Sequence, residues 1–172
     1  MLTDRIEHRW LAAFGRVFEF CKVGPDDVVA LLSETQSRAL NVDLARLALQ
    51  QLGAQVYEVV VPTPAQTAPV PVRSTGASQV LNGQKGALAA FKASTMVVDL
   101  TVEGLLHAPQ LPDILSAGAR VLMVSNEHPD ALERLVPMAE DEPQAKAAIK
   151  ACRAANRMKV VSKAGTDLSI DL

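Results

Sequence analysis

Aromatic side chains are scarce in this chain: one Trp, one Tyr and four Phe, 3% of 172 residues. That thinness speaks against an aromatic-rich sandwich or binding module, and the abundant Ala, Val and Leu suit a sheet covered by helices packed through small side chains. Cysteine is nearly absent too. Cys21 and Cys152 lie far apart with no Cys-x-x-Cys spacing, which excludes a disulfide framework and a zinc knuckle; each reads as a small buried hydrophobe. No run of Lys and Arg exceeds two residues, and 17 basic against 19 acidic side chains leave a formal charge of −2, so the electrostatic footprint of a nucleic-acid binder is missing. Apolar residues are never continuous over the roughly 18 positions a membrane span needs. Asp4, Arg5, Glu7, His8, Arg9 and Arg16 interrupt the first twenty residues, which no secretory apolar segment would tolerate. A cytoplasmic protein with neither membrane nor nucleic-acid partners is expected.

What is present is a 49% hydrophobic chain long enough for one domain with a real core. Ile6, Trp10, Phe14 and Val17/Phe18 recur at helical spacing across 4–20, with Arg5, Glu7, Arg9 and Arg16 between them, so an amphipathic helix opens the chain. Gly24-Pro25-Asp26-Asp27 is a turn, and the apolar run 28–32 has the character of a buried parallel strand. Leu44, Leu47, Ala48 and Leu52 line a helix stopped by Gly53, and a second strand is expected at 55–61. Four prolines within 62–76 make that stretch a surface loop. The pattern then predicts a helix over 80–93, weakened by Gly83 and Gly86, a strand at 96–100, a helix at 111–117 and a strand at 120–124. A short helix after Pro129, a longer one over about 142–156 and a fifth strand at 158–161 follow. Such alternation predicts an α/β fold: an open, doubly wound, mostly parallel five-stranded sheet with helices on both faces, Rossmann-like. Residues 167–172 alternate polar and apolar as a half-buried strand does.

In an open α/β sheet, ligands gather outside the carboxyl ends of the strands where strand order reverses. The candidates are then Ser33 to Ser37 after the first strand, Asp99, Thr101, Glu103 and His107 after the third, Ser125 to His128 after the fourth, and Ser162, Lys163, Thr166 and Asp167 after the fifth. Neither a dinucleotide glycine fingerprint nor a phosphate-cradling P-loop occurs, and no Gly-x-Ser-x-Gly elbow supports a serine hydrolase. His8, His107 and His128 sit in separate segments, with no His-Glu-x-x-His helix, so no metal-ligand spacing is present. His8 reads as a helix-surface residue and Glu127-His128 as a solvated loop pair. His107 stands out, an imidazole among Leu105, Leu106 and Ala108 just past a central strand, where acid/base work near neutrality is chemically accessible. An ordinary loop histidine before Pro109 reads equally well.

Met96-Val97-Val98-Asp99, Leu105-Leu106-His107-Ala108-Pro109-Gln110, Ile114-Leu115 with Gly118 and Arg120, and Ser162-Lys163-Ala164-Gly165-Thr166-Asp167 together resemble the amino-terminal domain of the 2,5-dihydroxypyridine 5,6-dioxygenases, relatives of the thermophilic metallo-aminopeptidases. The resemblance runs from about Val28 onward. It implies that residues 1–172 are a single α/β domain, the N-terminal half of a two-domain metalloenzyme whose C-terminal domain, absent from this chain, holds the metal ligands. Fe(II) is the implied ion of the dioxygenases, zinc or cobalt that of the aminopeptidases. His107 matches the strand-end loop that approaches the aromatic substrate, as hydrogen-bond partner or proton carrier, and Leu106 matches its apolar wall; no metal ligand is implied within this chain. The proline-rich loop at 62–76 is longer than the resemblance leads one to expect. An Fe(II) ring-opening dioxygenase acting on a hydroxylated pyridine is the leading expectation, a metallo-aminopeptidase the second and a non-catalytic binding domain the third. The dioxygenase expectation brings with it a small aromatic substrate and a homo-oligomer, because a surface that faces a missing domain would be apolar and self-associating.

Overall fold

The computed structural model describes residues 5–65 and 77–172, which form two compact units, 5–136 and 137–172. Most of the proline-rich loop lies outside the described residues.

The first unit is built on four parallel strands, β1 (Val28–Glu34), β2 (Gln55–Val61), β3 (Met96–Asp99) and β4 (Arg120–Met123), in the order β2-β1-β3-β4. The central pair is apolar on both faces, as a sheet covered on both sides requires. Val29, Leu31, Met96 and Val98 face α1 (His8–Phe20) and α2 (Ala39–Gln51), packing with Trp10, Phe14, Phe18, Leu44 and Leu49. Ala30, Leu32 and Val97 face the other way, toward Phe91 of α3 (Lys85–Lys92) and Ile114 of α4 (Leu111–Ser116). The sheet is therefore doubly wound, as its apolar runs predict. Full burial of a Leu such as Leu31 or Leu44, both 0% exposed, contributes about 1.5–3 kcal/mol, so this two-sided core is where the unit's stability resides.

Helix α1 buries Trp10, Ala13, Phe14 and Phe18, spaced along one stripe. It closes in a Schellman turn, with Val23 N donating to Phe18 O at 3.1 Å and Lys22 N to Glu19 O at 2.8 Å. Trp10 Nε1 donates to Asp130 Oδ1 at 2.8 Å, tying α1 to α5 (Pro129–Glu133), and the His128 ring meets the Trp10 ring edge-on at 5.2 Å. The helix expected over 80–93 begins only at Lys85. Tight turns, with Asn82 N donating to Gln79 O and Gln84 N to Leu81 O, occupy the stretch before it and place Val80 and Leu81 in the core.

The second unit holds a short 3-10 turn (Ala139–Asp141), α6 (Glu142–Ala154), β5 (Arg157–Val161) and β6 (Asp167–Asp171). Here the expected fifth parallel strand is corrected. Among the described residues β5 pairs only with β6, antiparallel, in a separate two-stranded sheet, which gives four parallel strands plus a hairpin. Only five residues, Ser162 to Thr166, separate the strands; a parallel crossover needs a dozen or more, whereas a hairpin needs two to five. Ser162 N donates to Thr166 O at 3.1 Å and Gly165, at φ +96°, takes the left-handed position of the loop. The Ser-Lys-Ala-Gly-Thr stretch is thus a hairpin turn, not a rim of the four-stranded sheet.

Candidate active-site edge of the parallel sheet

Strand order reverses between β1 and β3, so their carboxyl ends, Glu34 and Asp99, lie at the crevice where α/β sheets take ligands. Both side chains are buried, Glu34 at 4% exposure and Asp99 at 0%. A buried carboxylate is tolerable only when it is hydrogen-bonded, and both oxygens of Asp99 and one of Glu34 are. Asp99 Oδ1 accepts from Thr101 N at 3.0 Å and from Thr101 Oγ1 at 2.7 Å, while Oδ2 accepts from Leu105 N at 2.7 Å. Glu34 Oε1 accepts from Val102 N at 2.5 Å. Burial pushes the Asp99 carboxyl above the usual carboxylate range and the nearby Glu34 charge adds to the rise; the bonds from Thr101 and Leu105 oppose it.

Those bonds fold residues 100–108 into a fixed loop. Gly104, at φ +78°, donates its N–H to Thr101 Oγ1 at 3.1 Å and accepts at its carbonyl from Ser78 N at 3.0 Å. A Cβ at position 104 would lie 2.0 Å from Met123 Sδ, the outer part of a flexible side chain, so the positive φ more than the space calls for glycine here. Ala108 N donates to Leu105 O at 2.9 Å, closing a β-turn whose two central residues are Leu106 and His107. Leu105 and Ala108 point inward at 1% and 3% exposure, whereas Leu106 is 59% exposed and His107 is exposed. The apolar sequence neighbours of His107 are therefore anchors of its turn rather than an enclosure around its ring.

The remaining rim residues divide into braces and surface. Ser37 Oγ donates to Leu100 O at 2.8 Å and accepts from Glu34 N at 2.8 Å, linking the two strand ends. Thr35 engages Thr63, with their hydroxyls 3.1 Å apart. Asn126 Oδ1 accepts from Arg38 N at 2.7 Å, and Asn41 Nδ2 donates to Glu127 O at 2.9 Å and Ser125 O at 3.3 Å, clamping the loop after β4 to the start of α2. Asn41, 1% exposed, escapes sequence reasoning because a polar residue near a helix start looks like a surface residue. His128 is the N-cap of α5, accepting from Asp130 N at 3.3 Å, so it has a structural task that the expected loose loop pair lacked. His8 lies exposed at the first position of α1.

The sequence matches the family model of 2,5-dihydroxypyridine 5,6-dioxygenase over residues 9–172. The chain belongs to that family. A curated 2,5-dihydroxypyridine 5,6-dioxygenase from Pseudomonas putida is 32% identical over 173 residues, a match that takes in 99% of this chain and 46% of the relative. The solved structure of the 2,5-dihydroxypyridine dioxygenase from Pseudomonas putida KT2440 superposes with a TM-score of 0.84 at 31% identity, covering 95% of this chain and 47% of that one. The chain thus spans about half the length of the dioxygenases it matches.

A 2,5-dihydroxypyridine 5,6-dioxygenase relative points to a metal centre, and the described residues can be tested for one. Among them no group of three or more His, Cys, Asp and Glu side chains converges. Both oxygens of Asp99 and one of Glu34 are already engaged by loop donors. These residues do not fit a metal ion, and no metal chemistry is assigned to them.

Proposed function

We propose that this chain is the α/β half of a cytoplasmic, Fe(II)-dependent ring-opening dioxygenase that acts on a hydroxylated pyridine or a related aromatic, its iron held by groups other than the described residues. What supports the reading is that a member of this family carries Leu106 and His107 exposed on the Leu105–Ala108 turn of the loop that follows β3, a loop whose amides are tied to two buried carboxylates. Leu106 offers an apolar wall to a flat ring. His107 offers a nitrogen that accepts or donates a hydrogen bond to a ring hydroxyl, and an imidazole is the side chain best suited to carry the hydroxyl proton near neutral pH. The loop bonds supply what such a pair needs, a fixed aim, since small misplacements of an acid/base group are costly in rate.

The test is oxygen uptake by the complete protein supplied with ferrous iron and 2,5-dihydroxypyridine. His107→Ala is expected to lower kcat by about 10²–10⁴-fold. Leu106→Ala should act mainly on KM. No oxygen consumption with any dihydroxypyridine, or an undiminished rate in His107→Ala, overturns the proposal.

A further inference from the structure

The second unit carries an apolar face with a clear register. In the hairpin Met158 stands opposite Ile170 and Val160 opposite Leu168, which puts these four side chains on one face. The other face is polar except for Val161, with Arg157 Nε 3.1 Å from Asp171 Oδ1 and Lys159 Nζ 3.4 Å from Asp167 Oδ1. The four apolar side chains are 36–47% exposed, and every residue of both strands is exposed. One apolar and one charged face is the pattern of a sheet with one side packed on a core, and a two-stranded hairpin without that packing is marginal in water.

We propose that the Met158, Val160, Leu168 and Ile170 face is an interface for the polypeptide that makes up the unmatched half of the dioxygenase relatives, met by an apolar helix or strand surface of that half. Two observations favour this occupant. The relatives are about twice as long as this chain, with 46% and 47% of their lengths matched, so they contain ample polypeptide to cover the hairpin. In the relatives that polypeptide belongs to the same chain as the matched half, so a small patch suffices to seat it, whereas a second copy would need the about 800 Å² per partner of a stable free-standing interface, which four partly covered side chains do not reach.

Hydrogen exchange, read strand by strand, tests the inference on two samples: the 172-residue chain alone, and the chain joined to the unmatched part of the Pseudomonas putida relative. Alone, the amides of β5 and β6 should exchange at least about 100-fold faster than those of β1 and β3. In the joined protein they should slow by a similar factor. The double substitution Val160→Lys with Ile170→Lys should abolish that gain, while Lys159→Ala on the charged face should leave it intact. Three results overturn the proposal: a hairpin already protected in a monomeric 172-residue chain, protection that appears with concentration together with a dimer mass, or no gain in a joined protein whose β1 and β3 remain protected. Should the joined protein fail to protect β1 and β3, the same measurement on the intact Pseudomonas putida relative decides: its strands that align with β5 and β6 must be protected, and lysines at the positions that align with Val160 and Ile170 must remove that protection. Because no activity is read, the result is separate from the fate of the dioxygenase proposal.

Discussion

The two units differ in how their strands are covered. In the first, β1 and β3 are flanked by strands on both edges and helices on both faces, and their side chains reach 0% exposure. In the second, β5 and β6 pair with each other in a two-stranded sheet, and none of their residues is buried. Both pairs contain Val, Leu and Met, but β1 and β3 carry apolar residues on consecutive positions whereas β5 and β6 interleave them with Arg157, Lys159, Asp167, Ser169 and Asp171. The connections differ as well. Crossovers containing helices return a chain to the same sheet with a covering layer included, whereas a five-residue turn returns it with none.

The largest effect should come from the covered side. Leu44→Ala, in a site at 0% exposure, is expected to cost about 3 kcal/mol in a urea denaturation of the chain; a cost below about 1 kcal/mol would mean that the first core is loosely packed. Gly104→Ala should cost about 1–2 kcal/mol. Met123, 38% exposed, has room to swing aside, but the positive φ persists, so Met123→Ala should not restore the loss. The Asp99 carboxyl sharpens the contrast by pH. Its folded-state pKa is raised above the ordinary 3.8, so the fold binds this proton more tightly than the unfolded chain does. The resulting stability is complete below 3.8 and is lost as pH rises through the folded-state value. Relative to Asp99→Asn, the wild type should lose unfolding free energy as pH rises above that point; a flat difference would contradict burial of the charge. The smallest effect belongs to the hairpin, where Ile170→Ala in the chain alone should change stability by less than about 0.5 kcal/mol. A larger loss would show that the face is already covered.

Much of the first unit was legible in the amino-acid order. The runs at 28–32 and 96–98 are apolar on consecutive positions because both faces of those strands are covered, and Gly53 marks the end of α2 as expected. The turn that carries Leu106 and His107 could be placed by its position after a central strand. Its support could not. Asp99 and Glu34 read as candidate ligand groups on a polar strand-end rim, and nothing near them in the sequence shows that both are buried. The amides that satisfy them belong to residues two and six positions on for Asp99 and 68 positions away for Glu34, a pairing set by tertiary structure. The hairpin was misjudged for a different reason: Val160 and Val161 look like a buried parallel strand, and the short Gly165 turn, which identifies the partner, was read as part of a strand-end rim.

The single tryptophan is placed to make this difference measurable. Trp10 is 6% exposed, bonded to Asp130 and edged by His128, all within the first unit. Its emission therefore reports solvent entry into the four-stranded core. Far-ultraviolet circular dichroism sums over both units. A mismatch between the two signals on heating would separate the melting of one unit from that of the other with no label attached.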